Sequence, residues 1–141
     1  MEQKDYLMRQ IEQAGRVLGK VLADLTGLKN QGKLQDGIGQ AEQTLQSELD
    51  LSIEELIGIP VDQLINTLLE KERMFQENFE KLADLLVELA EGYEQHKNLE
   101  KSRDLYQRAL VLYEYVDQAG SAFSFNRHSK MQRLKDRLDQ M

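Results

Sequence analysis

The sequence predicts an all-α fold, and three observations carry the prediction. Residues that favour helices (Leu, Glu, Gln, Lys, Ala and Arg) dominate the 141 positions, while β-branched runs are nearly absent. Apolar residues recur at steps of three and four along most of the chain. Only one proline, Pro60, interrupts it. The length suits one domain with its own core, and no linker is long enough to divide it, so residues 1–141 read as a single helical domain.

The first helix is expected over residues 4–28. Leu7, Ile11, Ala14, Leu18, Val21, Leu25 and Leu28 follow a strict 4-3 alternation, a heptad seam. Such a seam serves packing inside one chain or pairing of two chains, and the dimer candidates are Leu7, Ile11, Leu18, Val21 and Leu25. Gly15, Gly19 and Ala23 form a small-residue row four apart that admits a close backbone. Asn30, Gly32, Gly37 and Gly39 then weaken helicity, so a second helix is firm only over 40–49, with its early part from Lys33 less secure.

Ser52 and Glu55 form a capping box that opens a short helix to Ile57, with Gly58 able to end it. Pro60 opens the next helix at its first position and runs to Leu69 or beyond, with Leu64, Ile65 and Leu68 inward. The most regular helix is expected over 74–96, with Phe75, Phe79, Leu82, Leu86, Leu89, Ala90 and Tyr93 on one face. Asn98 caps the next, which carries Leu99, Ser102, Leu105, Tyr106, Ala109, Leu112, Tyr113 and Val116 and ends at Gly120. Ser121 or Ser124 caps a last helix with Met131, Leu134 and Leu138 inward. Five to six helices with short connections are expected.

Composition removes several classes of function. The absence of cysteine excludes disulfides, thiolate chemistry and cysteine-based metal sites, and fits a reducing cytoplasm. No signal peptide is expected, because charge interrupts the apolar residues near the start. No stretch approaches the roughly 20 apolar residues of a membrane span. The net charge of −7 is uneven: residues 31–100 carry sixteen acidic and five basic side chains, and residues 101–141 carry five and eight. The acidic middle would repel phosphate, which leaves nucleic acid only the basic tail.

The most informative stretch is L-x2-L-A-x2-Y-x8-S-x3-Y-x2-A, carried by Leu86, Leu89, Ala90, Tyr93, Ser102, Tyr106 and Ala109. Large residues fill the space between two helices, and small ones sit where backbones approach. The pattern resembles a tetratricopeptide repeat over residues 82–117, and departs from it at Leu86, Ser102 and Glu114, where tryptophan, alanine and proline are usual. Ala41, Thr44 and Leu45, with Leu25 and Leu28, suggest a weaker earlier unit. The resemblance implies antiparallel helical hairpins, with the first helix, the Pro60 helix and the last helix as caps. The opening D-Y-x-M-R-Q-I-E, from Asp5 to Glu12, resembles an uncharacterised bacterial family of helical proteins, which implies no activity.

The repeat resemblance further implies a groove lined by the first helix of the pair. Its candidates are Asp84, Val87, Glu88, Glu91, Glu94 and Gln95. Members that bind chaperone tails grip a carboxylate with lysine and asparagine there. The acidic turns of this chain favour a basic segment instead, or are simply a solvated face. No catalytic set is legible: His96 and His128 lack a carboxylate and nucleophile at recognisable spacing. No cofactor loop or metal-ligand spacing appears. The tail (Arg127, His128, Lys130, Arg133, Lys135 and Arg137, after Phe123 and Phe125) admits three readings. It is a last helix with its cations in solvent and its phenylalanines in the core, a nucleic-acid contact, or a segment folded over the acidic groove. The reading reached is a non-catalytic, cytoplasmic protein–protein interaction module without cofactor. Homodimerisation is a secondary expectation, and a nucleic-acid-associated regulatory protein the alternative.

Overall fold

A computed structural model describes residues 2–120 and 122–141. Seven α-helices occur among them: α1 (Glu2–Asn30), α2 (Leu34–Leu49), α3 (Ile53–Gly58), α4 (Leu64–Leu69), α5 (Phe79–Gln95), α6 (Leu99–Ala119) and α7 (Phe125–Gln140). No strand occurs among the described residues. The count exceeds the five to six expected, because α4 ends at Leu69 and does not run on into α5.

α1 and α2 form a hairpin across a three-residue turn in which Gly32 takes a φ of +74°, a left-handed conformation that glycine adopts without strain. Gly37 does not break α2 as the sequence suggested. It lies buried at the crossing with α1, where an added Cβ would stand 3.0 Å from Leu25 Cδ1. Close packing therefore offsets the roughly 1 kcal/mol that glycine costs in a helix. Of the small-residue row in α1, Gly15 is a close approach, with Asn78 Oδ1 2.8 Å from an added Cβ, whereas Gly19 has nothing within 4 Å.

α5 and α6 form the second hairpin. They run antiparallel: Ser102 Oγ donates to the Ala90 carbonyl at 2.7 Å near one end, and Tyr113 meets Asp84 near the other. Phe79, Leu82, Leu85, Leu86 and Leu89 bury completely between α5 and its neighbours, with Leu105 and Leu112 facing them from α6. α5 begins five residues later than expected. Met74 and Phe75 precede it in a connection where Phe75 is extended (φ −127°, ψ 142°), followed by a 3-10 turn at Gln76–Asn78. Met74 still buries in the core, so apolar spacing ran on through a segment that is not helical.

The caps form at the expected residues, with one exchange of partner. Ser52 Oγ accepts from the Glu55 amide at 3.3 Å, but the Glu55 carboxylate turns to Lys71 Nζ at 2.8 Å and does not return the capping bond. Asn98 Oδ1 accepts from the Lys101 amide, and Ser124 Oγ from the Arg127 amide. Ser121 lies outside the described residues. Pro60 precedes a 3-10 turn at Val61–Gln63, so α4 proper begins at Leu64.

Three placements bear on the sequence reading. Leu18, Val21 and Leu25 are buried within the single chain against α2 and α5, so most of the heptad seam is consumed by intrachain packing. Leu7 alone of the five seam candidates is exposed, with Ile11 half-buried. Leu99 is exposed, at the open start of α6. Phe123 and Phe125 are also exposed, at 63% and 83%, stacked edge-to-face on each other with centroids 4.9 Å apart. Phe123 precedes α7 and Phe125 is its first residue.

Arg108 is the least anticipated core residue. It is 6% exposed on α6. Its guanidinium donates to the carbonyls of Leu56 at 3.3 Å, Ile57 at 3.0 Å and Ile59 at 2.9 Å. Those carbonyls lie at and just past the end of α3, and that of Leu56 also accepts from the Ile59 amide at 3.2 Å, so one side chain completes the terminus and fixes the α3–α4 segment to α6. Replacing Arg108→Leu should cost about 2–4 kcal/mol in denaturant unfolding, because buried carbonyls lose their donors. Arg108→Lys should recover little of it, since one ammonium cannot span three acceptors.

Candidate functional site

Three helices run parallel along one side of the molecule. On α1, Ile11 O accepts from Asn78 Nδ2 just before α5, and Lys29 reaches Glu88 and Glu91 further along it. On α7, Arg127, Lys130 and Arg137 meet Glu80, Asp84 and Glu94 in the same order. α5 is therefore the middle helix of the layer, with α1 and α7 as flanks.

An open groove of about 920 Å³ follows α5 between those flanks. All six residues proposed from sequence, Asp84, Val87, Glu88, Glu91, Glu94 and Gln95, line it. The helical period brings them together: positions three and four apart share one face of α5, and the face opposite is buried on α6. Leu22 and Thr26 of α1 form one wall, and Lys130, Arg133, Leu134 and Arg137 of α7 the other. Tyr106 and Tyr113 of α6 reach the groove from behind α5.

The carboxylates of the groove all have partners within the chain. Asp84 accepts from the Tyr113 hydroxyl and from Lys130 Nζ, the latter at 2.9 Å. Glu94 accepts from the Tyr106 hydroxyl at 3.0 Å and pairs with Arg137, whose Nε lies at 3.2 Å. Lys29 Nζ stands 2.9 Å from Glu91 and 3.4 Å from Glu88. The floor is acidic in composition, as the sequence suggested, but its four carboxylates are all paired by three cations of the same chain. Lys130 and Arg137 belong to the tail that the sequence offered as a segment folded over the acidic groove, whereas Lys29 and the two tyrosines are partners that only packing brings to it.

Electrostatics follow this arrangement. Burial raises the Tyr113 and Tyr106 phenols above their ordinary value, and the hydrogen bonds to Asp84 and Glu94 raise them further. The hydrogen bond with Glu91 holds the Lys29 ammonium above its ordinary value despite partial desolvation. At the root of α7, Arg127 binds Asp117 at 2.9 Å, Glu80 at 3.2 Å and the Ala122 carbonyl at 3.1 Å, and is itself buried. The Arg127 hydrogen bond lowers the Asp117 carboxyl, and His128, 2.9 Å away, lowers it too.

His128 thus has a carboxylate neighbour that its sequence spacing hid. Among the described residues no hydroxyl nucleophile forms a hydrogen bond to it, and its ring instead lies 4.3 Å from that of Phe123. His96 sits at the C-terminus of α5. No group of three or more metal-binding side chains converges among the described residues. No described helix is long and apolar enough to cross a membrane.

A family of unknown function (DUF6483) matches residues 1–128. The chain belongs to that family. The DUF6483 match spans α1 to α6 and ends within the first turn of α7. It therefore includes Asp84, Glu94, Tyr106 and Tyr113, and leaves out Lys130 and Arg137, which face them. No curated protein and no solved structure matches the chain.

The two phenols set a pH dependence whose sign is definite. A raised folded-state pKa gives stability that is complete below the ordinary value of 10.0 and lost as pH rises above it. Tyr113→Phe should lower stability by about 1–2 kcal/mol at neutral pH, through the lost bond to a carboxylate. It should also flatten the fall in stability above about pH 10. Denaturant unfolding from pH 7 to 11, on wild type and variant, measures both effects.

Proposed function

We propose that this protein is a non-catalytic interaction module that holds a segment of another polypeptide in the groove along α5. The carrying observation is the layer of three parallel helices around one open groove lined by Val87, Leu22 and Leu134 as well as by charge. Apolar patches within a polar rim are what a bound segment buries for affinity, while the surrounding charges select its register. The order of the helices supports a tetratricopeptide-like reading. α1 with α2 and α5 with α6 act as two hairpins, and α7 as a terminal cap whose polar face meets solvent.

The groove also refines the partner. A basic segment can reach Asp84, Glu88, Glu91 and Glu94 only in competition with Lys29, Lys130 and Arg137. A segment that leaves those pairs in place meets the apolar patch at Val87 together with the Arg133 guanidinium. Nucleic acid is a poorer match, because Arg127, Lys130 and Arg137 of the basic tail are each engaged by carboxylates.

Val87→Arg tests the reading, since it places a charge in the middle of the groove without removing a buried core residue. Proteins captured from the native cell by the wild type should bind the variant about tenfold more weakly or be lost. Identical recovery by the two chains contradicts the groove as the binding surface. Retention of the wild type on a nucleic-acid column at low salt, released as salt rises, would favour the alternative.

A further inference from the structure

α7 is fastened in two different ways. Its root is tied by the buried Arg127 to Asp117, Glu80 and the Ala122 carbonyl. Its distal part is much more polar: Met131 and Leu134 are its buried apolar residues, with Leu138 half-buried. Beyond those, Lys130 and Arg137 hold it to Asp84 and Glu94 through ion pairs that are partly open to water. Such pairs add little stability and weaken with salt. A short helix held this way opens more readily than the hairpin beneath it.

The surface beneath this helix is, by contrast, rigidly built. Tyr113 and Tyr106 are buried at 1% and 3% exposure, and their hydroxyls fix Asp84 and Glu94 from behind. Both carboxylates sit on α5, whose opposite face is the centre of the core. With α7 lifted, two oriented acceptors ten positions apart would flank the cleft that takes Met131 and Leu134. The seat lies inside the DUF6483 match, and its present occupant mostly outside it.

We propose that the face of α5 and α6 under the distal part of α7 is an exchangeable docking seat for a basic amphipathic helix of another protein. α7 is its resting occupant and shows the chemistry required. A fitting partner carries apolar residues at the relative positions of Met131, Leu134 and Leu138, with cations one before the first and one before the last of them. The root at Arg127 stays fastened, so exchange frees residues 129–140, the part of the continuous helix α7 beyond His128. The proposal rests on the interaction-module reading and names the partner class and the gate of that same groove.

A labelled peptide of residues 122–141 serves as the probe, added to the full chain. In the Lys130→Gln/Arg137→Gln double variant the resident helix is loosened and the seat unchanged. The peptide should bind that variant about three- to tenfold more tightly than wild type, since each half-open pair shifts such an equilibrium by at most about fivefold. Binding should weaken as salt rises, and a peptide with glutamate in place of both cations should not bind. Circular dichroism checks that the variant is folded, and Leu134→Ser, which loosens α7 through its apolar contact, is the second variant. Equal peptide affinity for wild type and both folded variants overturns the proposal. So does a stable dimer formed by exchange of α7 between two copies, which would make a second chain the occupant. If the peptide fails but partner capture remains sensitive to Val87→Arg, the seat is wrong and the groove stands. If capture is insensitive as well, both readings fall.

Discussion

The packing of α5 on α6 sets every other relation in this molecule. One face of α5 buries Leu82, Leu86 and Leu89 completely, and Leu105 and Leu112 bury from α6. Ser102 is fully buried between the two helices, and its hydroxyl donates to the Ala90 carbonyl at 2.7 Å. A larger residue there would hold the helices apart, and the small polar one adds a satisfied buried bond. Because one side of α5 is committed to α6, its other side must face the space between α1 and α7. The groove is thus a consequence of the hairpin, and its depth depends on how the two flanking helices lean on α5.

The same hairpin orders the charges. Tyr113 and Tyr106 bury their rings in the core and must place their hydroxyls on acceptors, which Asp84 and Glu94 supply. Lys130 then joins the Tyr113 hydroxyl on the same oxygen of Asp84, and Arg137 spans both oxygens of Glu94, one of which also takes the Tyr106 hydroxyl. Core packing, carboxylate orientation and the docking of the last helix are in this way one connected arrangement. Arg108 plays the corresponding part on the other side of α6, where it ends α3 and seats the α3–α4 segment.

Much of this was readable from residue order, for definite reasons. Caps at Ser52, Asn98 and Ser124 depend on side chains one turn from the amide they bind, so local sequence suffices. The six groove residues share a face through helical period alone. The start of α5 was misplaced because Met74 and Phe75 continue an apolar rhythm through a connection that packs into the core without being helical. Leu18, Val21 and Leu25 form a heptad that fits a second chain as well as α2 and α5, and period alone does not choose between them. Phe123 and Phe125 were expected inside by residue type, yet both stand in solvent at the start of α7. The cations balancing Asp84, Glu88, Glu91 and Glu94 come from positions more than forty residues away, beyond any local rule.

Hydrogen exchange on the native full-length chain tests most directly whether the α5–α6 hairpin is the frame and α7 a separately opening flank. Amides of α5 from Leu82 to Ala90, and of α6 from Leu105 to Tyr113, should be the slowest, exchanging only through global unfolding. Amides of α7 beyond His128 should exchange well before them, and faster still as salt rises. Protection in α7 equal to that in α5 and α6, unchanged by salt, would contradict the account.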